Sequence, residues 1–362
     1  MKKRNISLPL IALVTEVFDD PPYFRSIQSF CEELHHVSTL TNCYFYVTSI
    51  NLFSTTKVKG FYYKDHEWKQ ADFPLPNVIY NRIHSRTLEN SEEFLTWKKQ
   101  MDQFGIPYFN SRFLSKWEVH ELLSTHPPLT SRIPETKKYS LNTLNQIISQ
   151  HPILFLKPIH GSQGRNIIRI MKSIDAFHLE VSGRTEGPFL FKTLTSLLTF
   201  VDQQIGNRTY IIQQGIQLLT FEGRSLDFRV LCHRNSQELW QVTSIVARVT
   251  ADQQIVSNIS HGGEIIKPLI ALTSYFDQDT SFQILAKLKK LSVDVAIHLT
   301  NQIDGVIGEL GIDIGIDNQG NLWLIEVNSK PSKSFTNPSL TIRPSAKALI
   351  QYCKRLAMKQ RD

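Results

Sequence analysis

Residues 305–331 read GVIGELGIDIGIDNQGNLWLIEVNSKP, and this stretch has the pattern of two antiparallel strands joined by a tight turn. The turn is predicted at residues 317–320, because Asp, Asn and Gly tolerate the positive φ angles that hairpin turns require. Side chains alternate between the faces of a strand, so Glu326 and Asn328 share one face and lie across from Asp313. Two carboxylates and an amide oxygen at one place form a hard-oxygen site, which suits Mg²⁺.

The hairpin alone leaves a second interpretation open. Alternating polar and apolar residues are common in antiparallel sheets, where the polar face simply meets solvent. Ordinary solvent-facing acids explain this stretch as well as a metal site does, so the remaining sequence has to decide between the two.

The composition is that of a globular protein of two or three units. The 362 residues are 41% hydrophobic and 20% charged, which excludes a disordered chain. The four cysteines are far apart and form no CxxC pair, which argues against a zinc ribbon and a disulfide framework and favours a reducing compartment. The 40 basic and 33 acidic residues give a net charge of +7, which suits an anionic ligand and would also suit nucleic acid or an acidic surface. Interleaved aromatic and basic patches are lacking, which argues against nucleic-acid binding.

The N-terminus resembles a secretory signal only superficially. The basic residues 2–4 precede an apolar run at residues 8–14, but that run is short, contains Pro9 and leads into acids without a small-residue cleavage site. No run in the sequence approaches the length that spans a membrane. We therefore expect neither secretion by that route nor a membrane span.

The first 110 residues alternate between strand-like and helix-like patterns, which predicts a small α/β domain. Extended segments are predicted at residues 8–14, 44–50 and 78–80, with a hairpin at residues 59–68. Ligands of open α/β sheets bind at the carboxyl ends of the strands. Arg82 and Arg86 follow such an end and are candidate anion contacts, although a solvated loop explains them equally well.

Two lysines in the middle of the chain lie at the ends of predicted elements. Ser115 is predicted to cap a helix, and Lys116 in its first turn either reaches solvent or meets an anion. Lys157 closes an apolar strand at residues 153–156, where a lysine is costly unless a negative group pairs with it. The glycine-rich turn at residues 161–166 can present backbone N–H groups to a phosphate, although its spacing matches neither the Walker nor the dinucleotide pattern.

The C-terminal half holds further polar positions on predicted strands and loops. Helices are predicted at residues 189–201 and 280–301, and strands at residues 210–216, 226–233 and 246–249. Asp227 and Arg229 share one strand face, where they form either a plain salt bridge or, through the arginine, a phosphate clamp. In the loop at residues 256–264, His261 is a candidate general base, although most histidines are structural or merely exposed.

The order of these motifs resembles the ATP-grasp superfamily, from roughly residue 110 to the C-terminus. The segments NRIHSR, LKPIHGSQGRNI, DFRVL and IEVNSKPS resemble more narrowly the endospore coat-associated ATP-grasp proteins (YheC/YheD type) of spore-forming bacteria. The resemblance implies an α/β fold, α+β in its C-terminal part, with an N-terminal open α/β pre-ATP-grasp domain before a two-subdomain ATP-grasp fold. The implied limits are residues 1–110, residues 111–209 with the glycine loop, and residues 210–362 with the metal-binding hairpin and a basic C-terminal helix.

The resemblance also assigns roles to individual residues. The ATP phosphates would be held by two lysines and a closing loop, namely Lys116, Lys157, Gly161, Ser162, Gln163 and Gly164. Adenine would meet a hinge formed by Gln213, Gln214 and Ile216. This hinge has glutamines where many members carry an acid, so Glu222 is the proposed substitute at the ribose. The implied catalytic residues are Lys157, Arg229 and Asn258, and the implied ligands of Mg²⁺, or alternatively Mn²⁺, are Asp313, Glu326 and Asn328.

The activity implied by the resemblance is an ATP-dependent carboxylate–amine ligase that works through an acyl phosphate. ATP is one implied substrate, the carboxylate and the acceptor have no signature in the sequence, and spore-coat proteins are candidate partners. The resemblance implies production in the mother-cell cytoplasm and association with the forming coat. The alternative is a coat assembly or scaffold protein that keeps the nucleotide fold without catalysis, and nucleic-acid binding is the least favoured interpretation.

Overall fold

Three β-sheets follow one another along the chain in the computed structural model. The structure describes residues 8–18, 22–161, 164–184, 187–251, 263–333 and 342–359. The first sheet is mostly parallel at its centre and the other two are antiparallel, which confirms the predicted α/β fold with an N-terminal open sheet.

The first sheet has the strand order β4-β3-β2-β1-β5-β6. Its strands are β1 (Leu10–Val14), β2 (Tyr44–Thr48), β3 (Lys57–Lys64), β4 (Glu67–Pro74), β5 (Val78–Asn81) and β6 (Tyr108–Phe109). The helices of this part are α1 (Gln28–Leu40), α2 (Arg86–Glu89) and α3 (Glu92–Gln103). The apolar run of β1 is buried on both faces, because Ile11 and Leu13 enter one core while Ala12 and Val14 enter another. Because strands β1 and β5 are parallel, their carboxyl ends lie at the same edge of the sheet.

The second sheet has the order β11-β10-β9-β8-β12-β7. The elements of this part are α4 (Lys116–Ser124), α5 (Pro127–Thr130), β7 (Thr136–Lys138), α6 (Leu141–Ile147), β8 (Ile153–Pro158), β9 (Ile168–Lys172), β10 (Phe177–Val181), β11 (Phe189–Phe191), α7 (Leu194–Ile205) and β12 (Tyr210–Gln214). The prediction of one helix over residues 189–201 was wrong at its start. The aromatic residues of β11 pair with β10, and α7 begins only after Thr193, whose side chain accepts a hydrogen bond from the Ser196 amide.

The third sheet contains the hairpin that the sequence predicts. Its elements are β13 (Thr220–Phe221), β14 (Arg224–Arg234), β15 (Trp240–Val249), β16 (Glu264–Ile266), α8 (Pro268–Thr273), α9 (Gln278–Thr300), β17 (Glu309–Ile316) and β18 (Leu322–Asn328), followed by the C-terminal helix α10 (Pro344–Lys359). The strand order is β16-β15-β14-β17-β18, with β13 paired to β14. Strands β17 and β18 are antiparallel and place Asp313 directly opposite Glu326, which confirms the predicted pairing.

Two helices pack against sheets that are distant in sequence. Helix α10 carries Leu349 and Tyr352 into the core of the first sheet, beside Phe109. Helix α4 carries Val119 and Leu123 into the core of the third sheet. The predicted domain limits, residues 1–110, 111–209 and 210–362, remain a proposal. Helices α4 and α10 each pack against a sheet that lies on the other side of one of these limits.

The sequence analysis expects no disulfide framework and no membrane span. All four cysteines are buried free thiols, so the described structure contains no disulfide framework. No helix in the described ranges is long and apolar enough to cross a lipid bilayer.

The turn between β17 and β18 depends on Asp317 and Gly320. The Gly320 amide donates to the Asp317 carbonyl at 2.9 Å, and the Asp317 carboxylate accepts from the Gln319 and Asn321 amides at 3.0 and 2.9 Å. Gly320 has φ +79°, a left-handed conformation in which a Cβ is strained.

We expect Gly320→Ala to lower the free energy of unfolding by about 1 kcal/mol, because alanine is strained at this φ. Urea denaturation measures the change. Gly187→Ala is the control, since a Cβ at Gly187 meets nothing within 4 Å and its φ is not in the left-handed region. Equal unfolding free energies for the two variants would contradict the assigned turn.

Candidate active site

A cleft lies between the second and third sheets, beneath helix α4. Its walls are contributed by α4, by β8 and β12 of the second sheet, and by β18 of the third. The lining residues are Lys116, Val119, His120, Leu123, Ile133, Thr136, Lys157, Ile211, Gln213, Leu324, Ile325, Glu326 and Val327. One part of the cleft is therefore apolar, and the other carries two lysines and a carboxylate.

Lys116 reaches this cleft from the first position of α4. The predicted cap is confirmed, because the Ser115 hydroxyl accepts a hydrogen bond from the Glu118 amide at 3.1 Å. The Lys116 ammonium donates to the Gly161 carbonyl at 3.2 Å and forms an ion pair with Glu326. The structure thus brings the helix start, the glycine-rich turn and the hairpin together.

Lys157 lies on β8 and points toward the same charged part of the cleft. Its ammonium donates to the Gln213 side-chain oxygen at 2.6 Å, and within the described residues no carboxylate forms an ion pair with it. Burial lowers the pKa of Lys157 to about 8, while the negative charge of Glu326 opposes this shift and Lys116 adds to it. An incoming anion would supply the charge partner that the ammonium lacks.

Asp313, Glu326 and Asn328 lie together on the paired strands of the hairpin. Asp313 is opposite Glu326, and Asn328 is opposite Gly311, two residues along the same face. The Asp313 residue is 4% exposed and the Glu326 side chain 32%, and of the three residues Glu326 lines the cleft. Burial raises the pKa of the Glu326 carboxyl, but the ammonium of Lys116 outweighs it, and the pKa lies below its ordinary value.

Two arginines hold the Asp313 carboxylate. The Arg229 guanidinium forms a bidentate pair with Asp313, with an Nη2–Oδ2 distance of 2.9 Å. Arg248 contacts the same carboxylate at 3.0 Å and also pairs with Asp227 at 2.6 Å. Burial raises the pKa of the Asp313 carboxyl, but these two cations outweigh it and keep the group ionised. Asp227 and Arg229 therefore pair with residues of neighbouring strands.

Arg248 was missed by the sequence analysis. It is 6% exposed and is the last residue but one of β15, between Ala247 and Val249. The signal was present, since an arginine inside the apolar segment Val-Ala-Arg-Val is costly without a buried acid beside it.

The donors near Asp313 and Glu326 fit a hard divalent cation. The described residues contain no group of three His, Cys, Asp or Glu side chains that could hold a metal ion. The candidate set is instead two carboxylates and one amide, which suits Mg²⁺ because that ion keeps several waters and takes few protein ligands. The guanidinium groups on Asp313 orient its oxygens and keep it charged. The chemistry of the donor set therefore fits the ion, and its ligation of a metal stays a prediction.

The structure places one of the four predicted nucleoside contacts in the cleft. Gln213 lines it, and its amide group donates to Thr136 at 3.1 Å. Gln214 turns its side chain to the Glu135 amide, which donates to it at 3.2 Å, and neither Gln214 nor Ile216 lines the cleft. Glu222 has a 71% exposed side chain, is paired with Arg224 at 3.2 Å, and does not line the cleft.

The glycine-rich turn and the second polar loop are only partly described. Gly161 accepts the hydrogen bond from Lys116, and Gly164 has φ +67°, a conformation typical of glycine in tight turns. The predicted site residues Ser162, Gln163, Asn258 and His261 lie outside the described residues.

Arg82 is not a free anion contact, and this corrects both interpretations given to it. It is 1% exposed, pairs with Glu309 at 3.1 Å and donates to the Pro331 carbonyl at 3.1 Å. Arg86 is different, because its partly buried guanidinium stacks 4.4 Å from the centre of the Phe113 ring and forms no ion pair within the described residues.

A second buried charge cluster, around Glu309, was also missed by the sequence analysis. Glu309 is 0% exposed and accepts hydrogen bonds from Tyr80 at 2.5 Å and from Asn110 at 3.0 Å. It also pairs with Lys333, and the His233 ring lies 3.4 Å away. The available signal was an acid at the start of the fully buried strand β17, whose other charged residue is Asp313.

The chain is similar to known proteins over most of its length. A family model described as YheC/D like ATP-grasp matches residues 105–356. The endospore coat-associated protein YheD of Bacillus subtilis (strain 168) is 30% identical over 288 residues, which are 78% of this chain and 63% of that protein. The chain thus spans less than two thirds of this relative.

Solved ATP-grasp ligases share the fold at low sequence identity. D-cycloserine synthetase DcsG matches with a TM-score of 0.57 and 11% identity over 95% of this chain and 99% of that chain. The D-alanine–D-alanine ligase from Coxiella burnetii matches with a TM-score of 0.53 and 9% identity over 98% of this chain and 96% of that chain. The predicted fold and the predicted resemblance are confirmed, and the chain belongs to the YheC/D-like ATP-grasp family.

Proposed function

We propose that this protein is an ATP- and Mg²⁺-dependent ligase that joins a carboxylate to an amine through an acyl phosphate. The observation that carries the proposal is the meeting of Lys116, Lys157 and Glu326 in one cleft, next to Asp313. Membership of the ATP-grasp family and the fold shared with solved ligases support it.

ATP would lie along the cleft with its two ends in different surroundings. The adenine would occupy the apolar part formed by Val119, Leu123 and Leu324, where burial of its rings is favourable. The phosphates would extend to Lys116 and Lys157, whose ammonium groups neutralise phosphate charge. The Gly161 carbonyl already contacts Lys116, so the glycine-rich turn is close enough to close over the phosphates.

The metal would be held by Asp313, Glu326 and Asn328. When bound there, Mg²⁺ would neutralise charge on the phosphate oxygens and help to orient the transferring group. The ion pair between Lys116 and Glu326 would open when the lysine moves to a phosphate and the carboxylate is released for ligation. Arg229 would remain on Asp313 and face the transferring phosphate.

The first step is the attack of a substrate carboxylate oxygen on the γ-phosphorus. A new oxygen–phosphorus bond forms, the bond to the β–γ bridging oxygen breaks, and ADP leaves. An amine nitrogen then attacks the acyl carbon, inorganic phosphate leaves, and the amine gives up its extra proton. The chain's part is to hold the phosphoryl group with Lys116, Lys157 and Arg229, and Asn258 keeps its proposed catalytic role outside the described residues.

Arg86 is the proposed contact for a substrate anion. It follows the carboxyl end of β5, and the negative charges of Glu89 and Glu326 oppose the lowering of its pKa. Burial lowers the pKa of Arg86 without removing its charge. A guanidinium without an ion pair in the described structure suits a carboxylate, which it can bind through two hydrogen bonds.

The test of the nucleotide site is calorimetric titration with ADP, with and without Mg²⁺. We expect binding to wild type that Mg²⁺ strengthens, and a loss of at least about tenfold in Lys157→Ala, since charge-assisted hydrogen bonds are lost. Lys172→Ala is a matched control, because Lys172 lies on the neighbouring strand β9 and is exposed. Absence of binding to folded wild type would contradict the proposal.

The same titration should depend on pH. The pKa of Lys157 is lowered to about 8, so the cation that binds phosphate is present below that pH and is lost above it in the free protein. ADP affinity should therefore fall as the pH rises from about 7 to about 9. Lys157→Arg should remove this dependence, because arginine stays protonated throughout.

A second candidate function is nucleotide binding without catalysis in coat assembly, in the mother-cell cytoplasm and at the forming coat. Two observations favour it, namely the engagement of Asp313 by Arg229 and Arg248 and the coat association stated for the relative YheD. A screen of carboxylic acids and amines for ADP release separates the two functions. Nucleotide binding without ADP release across the screen would favour the assembly function.

A further inference from the structure

Helix α4 presents a histidine to the cleft one turn beyond Lys116. Lys116 and His120 are four positions apart, and both line the cleft together with Val119 and Leu123. Residues at this spacing lie on the same face of a helix. The cleft face of α4 thus changes from a cation, through a histidine, to apolar side chains.

His120 lacks a hydrogen-bond partner within the described structure. Its Nδ1 atom is buried and unpaired, and its closest aromatic neighbour is Trp117, with ring centres 5.4 Å apart. Burial lowers the pKa of His120, so the ring is neutral at pH 7. A neutral imidazole carries one donor and one acceptor, and a buried polar atom without a partner is costly.

The other polar side chains of the cleft already have partners. Lys116 is paired with Glu326, and Lys157 donates to Gln213. Gln213 also donates to Thr136, whose hydroxyl donates in turn to the Pro134 carbonyl at 2.9 Å. Among the described polar lining residues, His120 is therefore the side chain that makes no hydrogen bond.

The position of His120 along α4 identifies the part of a nucleotide that it would meet. Each helical residue advances about 1.5 Å, so His120 lies about 6 Å beyond Lys116 along the axis, and Leu123 lies further on. The phosphates belong at the Lys116 end and the base at the apolar end. His120 is thus level with the nucleoside, where the predicted ribose contact Glu222 does not line the cleft.

We propose that His120 donates or accepts a hydrogen bond at the nucleoside of ATP, at a ribose hydroxyl or at the adenine edge, and so determines nucleotide preference. The inference rests on the proposed nucleotide binding. A ribose hydroxyl and the 6-amino edge of adenine offer the same donor and acceptor chemistry, and analogues that lack one of them separate the two.

The experiment is a calorimetric titration of the protein with nucleotides in the presence of Mg²⁺. The nucleotides are ADP, 2′-deoxy-ADP, 3′-deoxy-ADP and purine riboside 5′-diphosphate. The proteins are wild type, His120→Phe, His120→Asn and His120→Gln. His120→Phe keeps a ring of similar size and removes both hydrogen-bonding atoms. We expect it to weaken ADP binding about tenfold. His120→Asn or His120→Gln should recover most of this loss, since an amide replaces one ring nitrogen.

The analogues identify the partner. If a ribose hydroxyl is the partner, wild type should bind one deoxy analogue about tenfold more weakly than ADP, and His120→Phe should bind both equally. If the 6-amino edge of adenine is the partner, wild type should bind purine riboside 5′-diphosphate about tenfold more weakly than ADP, and His120→Phe should bind the two equally. Glu121→Gln is the control on the same helix, because Glu121 is exposed and does not line the cleft.

Two results would overturn the inference, and they are distinguishable. Wild-type affinity for ADP in a folded His120→Phe protein, with discrimination among the analogues retained, would overturn the role of His120 alone. No ADP binding to wild type would overturn the proposed function together with this inference. Thermal unfolding of every variant confirms that it is folded. If His120→Phe is not folded, His120→Leu provides the same comparison, because leucine also removes both hydrogen-bonding atoms.

Discussion

Replacing Glu326 with glutamine should abolish the Mg²⁺ enhancement of ADP binding and lower ATP-dependent turnover by at least about hundredfold. The glutamine keeps the size of the side chain and one oxygen but loses the negative charge, which is what a divalent cation requires of this position. Binding is measured by calorimetry with and without the metal. Turnover is measured as ADP release with whichever acid and amine prove active.

The stability of this variant should change little. Glu326 borders the cleft with a 32% exposed side chain, and its partner Lys116 keeps a second contact with the Gly161 carbonyl. Glu67→Gln on the exposed strand β4 is the control for removing one carboxylate. Unchanged metal dependence in a folded Glu326→Gln protein would show that the hairpin carboxylates do not hold the ion.

Local signals explain why the hairpin and the start of α4 were predictable from sequence. The turn residues Asp317 and Gly320, and the alternation that sets Glu326 across from Asp313, act over a few positions. Ser115 likewise caps helix α4, because its hydroxyl accepts a hydrogen bond from the amide of Glu118, three residues further along the chain. Such features depend on backbone geometry that neighbouring residues determine, so a single sequence is enough to read them.

The buried charge pairs were not predictable in the same way. Arg82 and Glu309 are 227 positions apart, and only the packing of the first sheet against the third brings them together. Arg248 similarly reaches Asp313 across two strand pairings. A sequence shows that a charged residue stands in an apolar strand, but it does not show which distant residue neutralises it. Arg82 was therefore interpreted as either an anion contact or part of a solvated loop, although its charge is buried and paired with Glu309.

Replacing Glu309 with glutamine should lower the free energy of unfolding by about 3–5 kcal/mol. The carboxylate is fully buried and neutralises two buried cations, Arg82 and Lys333, which the variant would leave without a counter-charge. Burial alone would raise the pKa of Glu309, yet the charges of Lys333 and Arg82 hold it well below its ordinary value. Urea denaturation measures the loss, and Asp72→Asn, which removes an exposed ion pair with Lys57, should cost less than about 1 kcal/mol.

A double variant distinguishes uncompensated charge from loss of packing. Lys333 has a pKa lowered to about 8 by burial, so its charge is tolerated only because Glu309 is beside it. Lys333→Met should therefore restore part of the stability that Glu309→Gln removes, giving a favourable interaction energy in a double-mutant cycle. Strictly additive losses would mean that the two residues act independently. A favourable interaction energy would instead show that Glu309 neutralises buried cations between the first and third sheets, whereas Glu326 is proposed to act on a ligand in the cleft.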